Sequence, residues 1–259
     1  MSFLSKIIGD NHQLKGPDIS KVPTCTIDLS GTKLTIPVPA KTLMIPTVKQ
    51  QTSIDIADSE LFKKWNMDGR NMSIDIHGNG WEFKGKLGHA FGCIMFDVRL
   101  IKIEPEESSF SFFDVNKLRE WLLHYADSLW GEFNRETTEE YAGAPPKKHL
   151  WTYPVSKDHL MKSNHDVGGV CYFVSLSGDD IETHYWVPIS PQHLLKFDFS
   201  VSTIECDFYS PEHNLPEATE QFIKEFMLNV NITPSPEALA QKLTAEKNLP
   251  LSQASKAGA

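Results

Sequence analysis

Asp180, Glu182, His184 and Trp186 alternate along the stretch GDDIETHYW, residues 178–186. At a strand's period of two they share one face. Two carboxylates and an imidazole in that pattern are the donor types of a divalent metal site, or of an acid–base pair. The same alternation also describes the wet side of a half-buried sheet. Adding Asp179 gives a surface set of Asp179, Asp180, Glu182, His184 and Trp186, suited to holding a basic protein partner.

Other candidate chemistry is weaker. Gly80 to Lys86 fits GxxxxGK, but Leu87 stands where a phosphate loop needs Ser or Thr, and the WEFK interior reads as strand. His165, Asp166 and Cys171 lie within SNHDVGGVC, yet Cys171 opens an apolar run and reads as core, not as an activated nucleophile. His149, His159 and His165 have no helical or strand spacing that would bring them together on a metal. The four cysteines, Cys25, Cys93, Cys171 and Cys206, lie far apart in sequence, which excludes a CxxC zinc site and suits free thiols in a reducing compartment. Trp65, Trp151 and Trp186 are the aromatic residues least committed to a core stripe. The residues thus yield no catalytic, cofactor or metal set.

The elements that would position these groups follow from periodicity. Alternation predicts strands over 24–46, near 53–56 and 72–76, with a turn at HGNG (77–80), then strands at 81–87 and 91–104. Asp114 is the N-cap of a helix whose apolar stripe is Leu118, Trp121, Leu122, Tyr125 and Leu129, running to about Asn134. Strands return at 170–176, 181–189 and 194–209. A helix then starts at Ser210-Pro211 or Leu215-Pro216, with Phe222, Ile223, Phe226, Met227 and Val230 inward. A short helix over 237–245, capped by Ser235, precedes a polar tail.

The expected class is α+β: antiparallel meander sheets with helices on one face. The units are an N-terminal segment (1–23), a first half (24–134), an acidic then Pro-rich connection (135–148), a second half (149–232) and a tail (233–259). The halves share an element order, β-β-β-α. An offset of 101 places Ile94, Phe96, Val98 and Leu100 on Leu195, Phe197, Phe199 and Val201. With the Gly turns aligned, Glu182 falls on Glu82, His184 on Lys84 and Trp186 on Lys86, a solvated strand face in the first half.

Charge narrows the function classes. Of the net −9, residues 1–110 contribute nothing, with 13 basic and 13 acidic residues. Between Ser163 and Ile223 stand ten acidic residues and one lysine. Such a surface disfavours nucleic acid and anionic membrane and favours a basic protein. No signal peptide, lipidation motif or apolar span of membrane length is present, so a cytoplasmic location is expected. The leading expectation is a non-enzymatic, cofactor-free binding protein, such as an immunity-type neutraliser of a basic toxin or effector. The alternatives are a metal-assisted hydrolase using Asp180, Glu182 and His184, or a structural subunit of a larger assembly.

Overall fold

A computed structural model describes residues 13–43, 51–62, 71–104, 110–140, 150–163, 169–176 and 180–247. The class is mixed α+β, built on two largely antiparallel sheets. The smaller sheet begins with the hairpin β1 (Thr24–Leu29) and β2 (Thr32–Pro37). Its two-residue turn puts Ser30 at φ 50° and Gly31 at φ 91°. Positive φ at both turn positions matches the strands' twist, which is why a glycine stands there. β3 (Ser53–Ile54) adds to β1 in parallel, and β11 (Asn231–Thr233) closes the other edge on β2.

The strands of the larger sheet are β4 (Asn71–Lys84), β5 (Ala90–Ile103), β6 (Trp151–Thr152), β8 (Val170–Leu176), β9 (Asp180–Pro188) and β10 (His193–Thr203). Their order is β4-β5-β10-β9-β8-β6. A further strand, β7 (Met161–Lys162), also pairs with β8. β5 from the first half and β10 from the second pair centrally over eleven positions, from His193↔Lys102 to Thr203↔Gly92. The two halves therefore share one sheet.

HGNG makes no turn. β4 runs through it, with His77 opposite Val98 and Gly80 opposite Met95, after a register shift between Asp75 and His77. Tertiary partners outweigh local turn propensity here. Asn79 Nδ2 donates to the Pro39 carbonyl, and the Gly80 carbonyl accepts the N–H groups of Thr42 and Leu43. The reversal comes later, at 85–88, where the Gly88 N–H donates to the Gly85 carbonyl. No helix follows the GxxxxGK match, so it has no phosphate-loop geometry.

After α1 (Ser59–Phe62), helix α2 covers Val115–Ala126, and Asp114 caps it by accepting the Asn116 N–H at 2.9 Å. It passes through a π turn (Asp127–Gly131) into α3 (Glu132–Glu140), beyond the Asn134 expected from the stripe. α4 (Leu215–Leu228) starts at the second of the two expected sites, with Pro216 in its first turn. α5 (Pro236–Lys247) is capped by the Ser235 hydroxyl, which accepts the Ala238 N–H.

Two helices, α2 and α4, cover the large sheet, and they lie on opposite faces of it. Phe222, Ile223 and Phe226 of α4 pack with Leu195, Phe197, Phe199, Val98 and Trp81, and the small sheet closes this core. Leu118, Leu122 and Tyr125 of α2, with Trp130, pack on the opposite face against Tyr172, Trp186, Leu194 and Ile101. The expectation of helices on one face is thus corrected. The β8–β10 region carries apolar side chains on both faces, and each set needs cover. The shared element order of the halves therefore comes with opposite helix placement.

Candidate functional site

A row of charged side chains crosses the second face of the large sheet, beside the part that α2 covers. Strand alternation and register place it. Asp198 pairs with His184 on one side and Asp97 on the other. One step along the same face, Lys196 pairs with Trp186 and Arg99, and Arg99 with Asp75. Glu182 precedes His184 by two residues and so shares its face.

These groups form a chain. Lys196 Nζ lies 2.6 Å from Asp198 Oδ2. Asp198 Oδ1 lies 3.1 Å from His184 Nδ1, and His184 Nε2 lies 2.9 Å from Glu182 Oε2. Arg99 Nε lies 3.0 Å from Asp75 Oδ1. The His184 side chain is 1% exposed and that of Lys196 6%, while Asp198 and Glu182 keep 16% and 23%. The imidazole is held between the rings of Tyr172 and Trp130, at 5.1 and 5.4 Å. Lys196 also sits over the Trp186 ring at 5.6 Å.

Burial opposes charge on Asp198, yet His184 and Lys196 beside it hold its carboxyl well below the usual carboxylate range. Burial likewise opposes the Lys196 ammonium, but Asp198 outweighs it and the group stays more basic than usual. Asp97 goes the other way. Burial pushes its carboxyl up, Arg99 pulls it down, and Asp198 and Asp75 push it up again. Glu182, His184 and Asp198 each offer a donor atom, and the three atoms lie within 4.8 Å of one another.

The surface set expected from the sequence separates here. Asp179 lies outside the described residues, as does the side chain of Asp180, the first residue of β9. Glu182 is part-buried, while His184 and Trp186 are buried. Trp186 packs against Trp121 and Tyr125 at 5.6 and 5.1 Å. The reading of this face as a solvated one with an exposed tryptophan is corrected. β9 is an interior strand between β10 and β8, and helices cover both of its sides here. The third donor beside Glu182 and His184 is Asp198, from the neighbouring strand. Its signal in the sequence is that Lys196 and Asp198 are the charged residues in the otherwise apolar and small alternation LLKFDFSVS.

Cys171 is part-buried on β8, and burial pushes its thiol up, the opposite of an activated nucleophile. His165, Asp166, His149 and Trp65 lie outside the described residues. Trp151 is part-buried, 6.5 Å from Trp130. All four cysteines are free.

A second feature is a cleft of about 370 Å³ between the small sheet, the β9–β10 loop and α5. Leu29, Thr32, Ile189, His193, Glu237 and Gln241 are among its walls. Ser190 Oγ accepts the N–H groups of Gln192 and His193, so its own proton goes to His193 Nδ1 at 2.7 Å. The hydroxyl is a loop brace that fixes a neutral imidazole. Burial, with Lys102 nearby, lowers the His193 pKa to about 4. No helix among the described residues is long and apolar enough to cross a membrane. No family model, curated protein or solved structure matches the chain.

Proposed function

We propose that the chain is a non-enzymatic binding protein that receives a basic protein partner on the acidic surface of its second half. The observation that carries this reading is the fate of the one lysine between Ser163 and Ile223. Lys196 is buried and bound to Asp198, so it compensates none of the surface acids. Glu205, Asp207, Glu217 and Glu220 are exposed, and none stands in a salt bridge among the described residues. A surface of one sign accelerates encounter with a partner of the other and repels phosphate. Because His184 and Trp186 are buried, we take these exposed acids, rather than those two side chains, as the contact surface. In its specific form the reading is an immunity-type neutraliser of a basic toxin or effector, acting in the cytoplasm.

The test is affinity capture from the source cells at low ionic strength, with the captured protein identified and its isoelectric point compared. The expected result is a basic protein released as salt shortens the screening length. A variant carrying Glu205→Gln, Asp207→Asn, Glu217→Gln and Glu220→Gln should lose it while folding normally. Capture of nucleic acid, or equal capture by this variant, would refute the reading.

A further inference from the structure

We propose that His184 and Asp198, with Glu182 behind the imidazole, form a binding site for a divalent transition metal of the zinc type. The inference is independent of the partner reading, which uses other residues.

Three features of the trio point to a cation. The first is orientation. Glu182 bonds to Nε2 at 2.9 Å, which orients the ring and puts Nδ1 on the Asp198 side. A histidine that donates one ring N–H to a carboxylate while the other nitrogen faces an acidic ligand is the arrangement of metal-ligating imidazoles.

The second is an unfilled need. His184 Nδ1 and Asp198 Oδ1 are both buried, and neither has a hydrogen-bond partner, although they stand 3.1 Å apart. They are close without being aligned on one another. Two ligands each about 2.1 Å from one ion, at an angle near 90–110°, are themselves about 3.0–3.4 Å apart. The separation that fails as a hydrogen bond fits as the edge of a coordination shell.

The third is charge. Lys196 neutralises one of the two carboxylates, on the Asp198 oxygen that faces away from His184. Among the described residues the other carboxylate, Glu182, pairs with His184 alone, and a metal ion between Nδ1 and Oδ1 adds positive charge beside both carboxylates. The imidazole selects zinc, cobalt or nickel over magnesium and calcium, which prefer oxygen-only shells. The residual exposure of Asp198 and Glu182 leaves a path for the ion and for water at its remaining positions.

The experiment uses the full chain with any affinity tag removed. Cobalt(II) is titrated and followed by its visible d–d absorption, then zinc is added in competition and the retained zinc counted after dialysis. One metal per chain is expected, with zinc displacing cobalt. Glu182→Gln keeps the size of the orienting side chain and should weaken the affinity by roughly 10- to 100-fold, as loss of an outer carboxylate does. His184→Asn should abolish the cobalt band. Absence of a 1:1 cobalt spectrum in the wild-type chain would overturn the proposal whatever the variants do. Binding of equal strength in wild type, Glu182→Gln and His184→Asn would place the metal elsewhere and overturn it too.

Discussion

Lowering the pH from 7 to 5 is expected to destabilise this protein in part through one buried imidazole, that of His193. His193 accepts the Ser190 hydroxyl proton at Nδ1, while that hydroxyl oxygen is occupied by two backbone N–H groups. A proton on Nδ1 would face another donor, and the ring sits in a buried position against Phe62, 5.6 Å away. Burial first, and Lys102 second, bring its pKa from the ordinary 6.5 to about 4. The unfolded chain thus takes up this proton at a higher pH than the folded one. The neutral ring's contribution is complete above about pH 6.5 and is lost as the pH falls toward about 4. The gap of about 2.5 pH corresponds to roughly 3 kcal/mol in full, of which about 2 kcal/mol is gone at pH 5. Urea unfolding followed by tryptophan fluorescence at pH 7 and pH 5 measures it. Other groups titrate in this range, so the informative quantity is the difference from His193→Asn, whose amide oxygen can still accept from Ser190. Wild type should lose about 2 kcal/mol more than the variant between the two pH values. Equal losses would refute the argument that His193 is held neutral.

Three further outcomes follow from the packing. Trp186→Ala should cost roughly 3–5 kcal/mol in denaturant unfolding, as removal of a buried aromatic does, and leave partner capture by the folded fraction unchanged. A lost partner with unchanged stability would instead return Trp186 to the surface. Asp114→Ala should lower stability by about 1 kcal/mol through loss of the α2 cap, read as a shift of the unfolding midpoint. Gly169 has φ 131°, and a Cβ there would strike the Trp186 carbonyl oxygen. Gly169→Ala should therefore destabilise by about 1–3 kcal/mol, and a midpoint equal to wild type would show that the 169–170 backbone can move aside.

The sequence by itself determined the local structure wherever one signal dominated. Asp114 before an apolar stripe produced α2, Pro216 produced the start of α4, and Ser235-Pro236 the start of α5, because caps and fixed φ act within a few residues. The alternation of Leu195, Phe197, Phe199 and Val201 likewise identified the core face of β10. Asymmetric charge was also legible, since it is a sum over residues.

What only the tertiary structure decided was which neighbours each face meets. HGNG is a turn by propensity, yet bonds from Pro39, Thr42 and Leu43 hold it in a 14-residue strand. The polar side of β9 reads as a solvated face under a one-sided sheet. It is buried because β8 and β10 flank it and α2 lies over it, which no periodicity along β9 can express. Asp198 joins Glu182 and His184 across a strand pairing that links β9 to β10, and Asp97 joins from β5, about a hundred residues earlier in the chain. Alternation shows which residues share a face of their own strand. Pairing and cover decide whether that face is water, core or a site, and those are settled by long-range contacts.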